Sequence, residues 1–245
     1  PPASALHSVP GEAGEGQVHL TSIAVSRDQK FVAGLSPSRK VVYYGLMHAG
    51  TRLARRPTGA GVTSLSWDDH DELWVASPGG VTILRPGRQP VTPGLTLGTY
   101  AVVSQLRVAP DGVRVAMIVH SQGVAGSQLL IAAINRPVGG SPFLGQAQVS
   151  IGTDVPDPTQ LTWYDANNLI VLSGPPNRQQ LYEVPVSGGS STEITTYQGM
   201  QSITAAGPGV PMAAGLAHDR LALEPNLNGA WTPRGAVARS PAYPG

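Results

Sequence analysis

The sequence predicts an all-β propeller, and three observations carry that prediction. Thirty Gly and 23 Pro in 245 residues favour short strands joined by tight turns, because both residues interrupt helices. A pattern of polar pair, alternating apolar strand, polar turn and second apolar strand recurs five times, most clearly in Ser104–Ile118 with its Pro110-Asp111-Gly112 turn. The repeat anchors Ile23, Leu65, Leu106, Leu161 and Ile203 are spaced by 42, 41, 55 and 42 residues. A period near 42 residues, with about four short strands per unit, is that of a propeller blade.

Taken in order, residues 1–19 form a Pro- and Gly-rich closing segment in which Leu6–Val9 is the piece able to act as a strand. Blade one (approximately 20–58) reads as strands 20–26, 31–35 and 40–47, with an outer strand near 51–55. Blade two (59–98) reads as 62–67, 72–76 and 81–85; Pro90 and Pro93 remove ladder donors and weaken its outer strand. Blade three (99–155) reads as 103–108, 113–119 and 128–134, and the 55-residue interval places an insertion and the edge strand within 136–158. Blade four (156–198) reads as 160–163, 169–172, 180–184 and 192–196, and blade five (199–228) as 202–205, 211–216 and 220–223. Residues 229–245 read as a loop-forming C-terminal tail, and the whole of 1–245 as a single domain.

Trp67 and Trp163 stand two residues after their anchors. Period-two alternation therefore directs them between blades. The ring must also close, because an open edge exposes backbone donors and acceptors. Two closures satisfy this. In one, Leu6–Val9 is the outer strand of the fifth blade in a five-bladed ring; in the other, it belongs to a sixth blade whose remaining strands precede Pro1.

Charged residues make up only 13% of the chain and the net charge is +1, so no strong field favours nucleic acid or an anionic membrane. The absence of cysteine excludes disulfides, thiolate metal sites and cysteine nucleophiles. No apolar run is long enough to span a bilayer, and the start at Pro1 reads as an excised domain or mature fragment whose targeting signal lies upstream.

The candidate site follows from the ring. Thr21, Ser22, Thr63, Ser64, Ser104, Gln105, Thr159, Gln160, Gln201 and Ser202 open the five inner strands and would form a hydroxyl and amide rim at the channel mouth. The alternative is that they satisfy backbone groups of the scaffold, which is the commoner fate of polar residues. Arg107 is the one charge within an inner strand. It would either grip an anionic ligand or hold carbonyls beside channel water.

Arg52, Arg55 and Arg56 form a compact basic group, and Trp231 is flanked by Pro and Gly; these are candidate partner contacts. Asp68-Asp69-His70-Asp71-Glu72 resembles a metal site in composition, but its spacing fits neither calcium nor zinc, and a turn accounts for it. No cofactor, metal or catalytic motif is expected. Hydrolytic propellers converge acids on the channel, whereas these inner strands carry no Asp or Glu before their first turns.

Val25-Ser26-Arg27-Asp28, Val108-Ala109-Pro110-Asp111-Gly112 and Leu161-Thr162-Trp163-Tyr164-Asp165 resemble blades of the actinobacterial LpqB-type lipoprotein propeller. The ending Trp231-Thr232-Pro233-Arg234-Gly235, followed by Ser240-Pro241-Ala242-Tyr243-Pro244-Gly245, resembles that family's C-terminus more specifically. The resemblance implies a protein lipid-anchored on the extracytoplasmic face of the cell membrane, with a GerMN-type domain upstream in the same chain. It also implies a non-enzymatic accessory role beside the Mtr two-component system, through the extracytoplasmic sensor domain of its histidine kinase. Contact with the membrane would come only through an anchor outside these residues. The other reading kept open is a module binding a cell-envelope saccharide or peptide at the channel mouth.

Overall fold

A computed structural model describes residues 8–10, 17–48, 51–95, 97, 101–121, 123, 125–175, 178–194, 200–207, 210–216, 220–225 and 231–236. All regular elements there are strands. Residues Ser8–Pro10 (β1) and Gln17–His19 (β2) pair as a two-stranded sheet. The first blade is β3 (Ile23–Val25), β4 (Phe31–Leu35), β5 (Val41–Leu46) and β6 (Ala54–Pro57). The second is β7 (Ser64–Trp67), β8 (Leu73–Ser77) and β9 (Gly80–Leu84). The third is β10 (Ala101–Val108), β11 (Arg114–Ser121), β12 (Ser127–Asn135) and β13 (Phe143–Ile151). The fourth is β14 (Pro158–Trp163), β15 (Asn168–Ser173), β16 (Gln180–Pro185) and β17 (Thr192–Ile194). The fifth is β18 (Met200–Gly207), β19 (Val210–Leu216), β20 (Arg220–Pro225) and β21 (Trp231–Ala236).

Every blade is an antiparallel meander in chain order. The inner strands β3, β7, β10, β14 and β18 stand side by side in that sequence. This gives the propeller two faces. Inner strands begin at one, here the entry face, and end at the other, here the turn face.

The first turn of four blades is built on an aspartate whose carboxylate accepts the N–H two residues on. Asp28 takes Lys30 N, Asp68 takes His70 N, Asp111 takes Val113 N and Asp165 takes Asn167 N. This Asx arrangement substitutes a side-chain acceptor for a missing backbone one. Gly112 completes its turn with φ of +68°, and a Cβ there would stand 1.9 Å from Asp69 Oδ1 of the neighbouring blade.

The core lies in the seams between blades, and tryptophans fill three of them. Trp67 packs on Ala24 and Phe31 of blade one, with ring centroids 5.5 Å apart from Phe31, and donates Nε1–H to Ala24 O. Trp163 sits against Ala109 and Ala116 of blade three and donates to Arg107 O. Both therefore pack between blades as their register predicts. In blade three the same position is Val108, and the volume is supplied from the other side by Trp74, which is fully buried against Val108, Val115 and Met117. The seam between blades four and five is aliphatic, from Ile170, Leu172, Leu181 and Ile203.

Three expectations are corrected. Residues 231–236 are not tail but β21, the outer strand of the fifth blade, paired to β20 through Pro225 and Trp231. That strand occupies the place offered to Leu6–Val9, so closure of blade five by the N-terminal strand is overturned: Ser8–Pro10 pairs with Gln17–His19 instead. Val18 then packs on Leu20, Val32, Tyr43 and Leu53 against blade one. Leu6 and His7 lie outside the described residues. Lastly, blade two has three strands rather than four among the described residues. Only an Ile83–Val91 bridge continues its ladder, because Pro90 and Pro93 lack N–H groups and Pro93 O turns away to accept Leu144 N in blade three.

Candidate functional site

At the entry face, the polar residues that open the inner strands are engaged with backbone, largely one blade away. Ser64 Oγ donates to Leu106 O and accepts from Leu106 N, and Ser66 Oγ accepts from Val108 N. Gln105 Oε1 accepts Leu161 N, and Gln160 Oε1 accepts Ile203 N at 3.0 Å. Thr63 Oγ1 donates to Val103 O, Ser104 Oγ to Ile118 O, Thr159 Oγ1 to Leu172 O and Thr21 Oγ1 to Leu35 O and Ser36 O. Inner strands have no neighbouring ladder on their channel side, so their outward backbone groups need side-chain partners. The polar pairs supply them. Ser22 and Ser202 are half-buried, and the side chain of Gln201 lies outside the described residues.

Arg107 also acts across a seam. Its Nη1 donates to Ser64 Oγ at 2.9 Å, Leu65 O at 3.2 Å and Leu106 O at 2.9 Å. No carboxylate pairs with it among the described residues. Burial pulls its pKa down to about 10, because desolvation penalises the charged form. The guanidinium therefore clasps two inner strands and carries a positive charge that no carboxylate among the described residues balances.

The turn face is organised differently. Asp68 is buried and accepts from four groups: His70 N and Glu72 N on Oδ1, and Trp74 Nε1 and Arg136 Nη2 on Oδ2. The Arg136 contact is 2.5 Å, with Glu72 Oε2 a further 3.6 Å from the same nitrogen. Asp68, Asp69 and His70 bring ligand atoms within 4.8 Å of one another. Asp68, however, is already filled by the turn, a tryptophan and an arginine, and Asp69 Oδ1 is 2.6 Å from His70 Nδ1. Glu72 is raised above the ordinary carboxylate range, first by burial and then by Asp68.

Beside this cluster a cavity of about 490 Å³ opens where blades one, two and three meet. It is lined by Arg85, Arg88 and Arg136, by Asp71 and Glu72, and by Phe31, Pro86, Pro137 and Pro142 among others. Arg136 Nε and Nη1 and Arg85 Nε are buried without a hydrogen-bond partner. Sequence reasoning missed this site. Its three arginines come from two blades and are 51 residues apart at the extremes.

Over residues 2–244 the sequence matches the family described as the lipoprotein LpqB beta-propeller domain. The chain belongs to this family. Similar curated proteins are the lipoprotein LpqB of Streptomyces coelicolor, 31% identical over 88% of this chain and 36% of that protein, and that of Thermobifida fusca, 29% identical over 97% of this chain and 44% of that protein. The chain thus spans less than half the length of these relatives. Among solved structures, TolB from Acinetobacter baumannii aligns with a TM-score of 0.62 at 15% identity, over 88% of this chain and 54% of TolB. A puromycin-hydrolyzing peptidase from Mycobacterium tuberculosis aligns with a TM-score of 0.58 at 16% identity, over 91% of this chain and 36% of that one. These likenesses show the propeller fold. The relatives' names make this the propeller module of an extracytoplasmic, membrane-anchored lipoprotein family.

Within this LpqB-family propeller, Arg55 and Arg56 lie on the exposed outer strand β6, opposite Tyr43 and Val42, and Arg52 is exposed just before it. They do not line the cavity, whose arginines belong to the loops after β9 and β12. Trp231 begins β21, and its side chain lies outside the described residues.

Proposed function

We propose that this LpqB-family propeller is a non-enzymatic interaction module that modulates a sensor histidine kinase of a two-component system from the extracytoplasmic side of the membrane, acting by protein contact. Its membership of a lipoprotein propeller family supports the setting. The observation that carries the non-catalytic reading is the occupation of the inner strands: their hydroxyl and amide groups bond neighbouring backbone. No acid stands on β3, β7, β10, β14 or β18. Rigid blades with loops on both faces provide the contact surface. The test is co-purification of the propeller with the kinase's extracytoplasmic domain. Retention is expected, whereas no retention under conditions where the full lipoprotein is held would remove the propeller from this role.

Arg107 favours a second reading, in which an anionic envelope saccharide or peptide enters the channel. A charge without a counter-ion is stabilised by any anion that reaches it. Thermal shift against anionic envelope fragments checks it. A ligand at one hundred times its dissociation constant stabilises the fold by about 2.7 kcal/mol, and that gain should vanish in Arg107→Met.

A further inference from the structure

The cavity at the junction of blades one to three gathers guanidinium donors that the surrounding side chains do not satisfy. Arg136 anchors one end of its guanidinium on Asp68 and leaves Nε and Nη1 unpartnered; Arg85 donates Nη2 to Gln89 O and leaves Nε unpartnered. A buried donor without an acceptor is destabilising, and three such donors belong to arginines that line this one cavity. Arg88, exposed at the rim, adds a third guanidinium. The acids on the same walls do not fill this need. Glu72 reaches only Arg136 Nη2, at 3.6 Å, and Asp71 forms no ion pair among the described residues.

What surrounds the cavity narrows the ligand class. Its walls are apolar at Phe31, Pro86, Pro137 and Pro142. Six large apolar side chains stand exposed among the described residues, and five of them, Val25, Leu46, Val113, Val138 and Phe143, are on the turn face. Four of them neighbour the cavity's lining in the ladder or along the chain. Leu46 pairs with the lining residue Phe31, Val113 O accepts from Ile134 two residues before Arg136, Val138 lies on the loop that carries Arg136, Pro137 and Pro142, and Phe143 begins β13 at the end of that loop. Arginine set in a pocket and ringed by aromatic and aliphatic groups is the composition of a protein-docking hot spot. A free inorganic anion would have no use for the apolar surround.

We infer that the turn face docks a partner protein through an acidic, apolar-flanked segment, one of whose carboxylates enters the cavity and is held by Arg85, Arg88 and Arg136. This rests on the reading of the module as a protein-interaction one and adds its docking surface and the chemistry of its partner. The segment's carboxylate supplies the missing acceptors, and its neighbouring side chains cover Val138 and Phe143 on one side and Leu46 on the other.

Two measurements test it. In the first, isotope-labelled propeller is titrated with the capped peptide Leu-Glu-Leu, with its Leu-Gln-Leu counterpart and with inorganic phosphate, and amide shifts are followed. Shifts confined to the turn face of blades one to three are expected with the glutamate peptide, at least about tenfold weaker with the glutamine one, and about tenfold or more weaker in Arg85→Ala and in Arg88→Glu. Arg136 is left intact because Asp68 depends on it. Equal binding of both peptides, or saturation by phosphate with no response to peptide, overturns the inference. Thermal melting of both variants separates loss of binding from loss of fold. In the second, Arg88→Glu and Phe143→Ser are assayed for retention on the kinase's extracytoplasmic domain. If wild type is retained and both variants are equally retained, this face is not the docking surface, while the proposed function stands. If wild type is not retained but the peptide response holds, the kinase is the wrong partner and the cavity remains a carboxylate site.

Discussion

The two faces of this propeller use the same residue types to opposite ends. At the entry face, Arg39 donates Nε to Val62 O and Nη2 to Thr63 O, and Ser64, Gln105 and Gln160 bond the next inner strand. Polar groups there hold blades together. At the turn face, Arg85 and Arg136 keep buried N–H groups without partners, and apolar side chains that elsewhere fill seams stand in solvent. A face whose described polar groups are largely bonded internally has little left to recognise with, whereas a face with unfilled donors beside exposed apolar surface has more. The difference teaches that a ring of hydroxyls at a channel mouth is not by itself a binding site.

The largest effect that would break this comparison is at Asp68. Asp68→Ala removes the acceptor of a turn, of Trp74 and of Arg136, leaving a mostly buried guanidinium unpaired. We expect a loss of about 3–5 kcal/mol in chemical denaturation, together with loss of the turn-face cavity as a ligand site. A smaller loss would mean that Arg136 finds Glu72 instead.

Next is Gly112→Ala. Its left-handed backbone and the carboxylate of Asp69 at its missing Cβ both oppose a side chain, so a loss above about 1 kcal/mol is expected, read from the denaturation midpoint. Binding at the turn face should weaken as well, because Asp69 must move.

Gln160→Ala sharpens the other side. It removes the acceptor of Ile203 N and should cost about 1–3 kcal/mol with no change in peptide or kinase binding. A change in binding at unchanged stability would make the entry face a recognition surface after all.

The smallest effect is a matter of pH. Asp28 is lowered to about 2 by its bonds to Lys30 and Ser26. A depressed carboxylate contributes stability that is present above its unfolded value of 3.8 and is lost as pH falls towards about 2. Wild type should therefore be slightly more stable than Asp28→Asn near neutrality, and the gap should close across that window. Glu72 has the opposite sign. Its raised pKa makes ionisation costlier folded than unfolded, so its contribution worsens as pH rises through the raised value.

Much of the fold was legible because a local pattern repeats. Each blade needs an alternating inner strand and an Asp-based turn within one short stretch, so Asp28, Asp68, Asp111 and Asp165 announce four turns from sequence alone. The outer strands were less legible. Trp231–Ala236 contains Pro233 and follows a Pro- and Asn-rich stretch, which reads as loop until β20 offers it an edge.

For the site, the sequence by itself determined which polar residues open the inner strands and that Arg107 is exceptional among them. It also determined the family, through blade turns and the Trp231–Gly245 ending. Only the tertiary structure decided what those groups bond. Ser64 lies 42 residues from Leu106 and Gln160 lies 43 from Ile203, so whether such a side chain faces a ligand or a neighbouring strand depends on how consecutive blades are stacked. The same holds, more strongly, for the cavity. Asp68 and Arg136 are 68 residues apart, and an ion pair across a blade seam leaves no periodic trace, because it rests on a single contact and not on a repeated one.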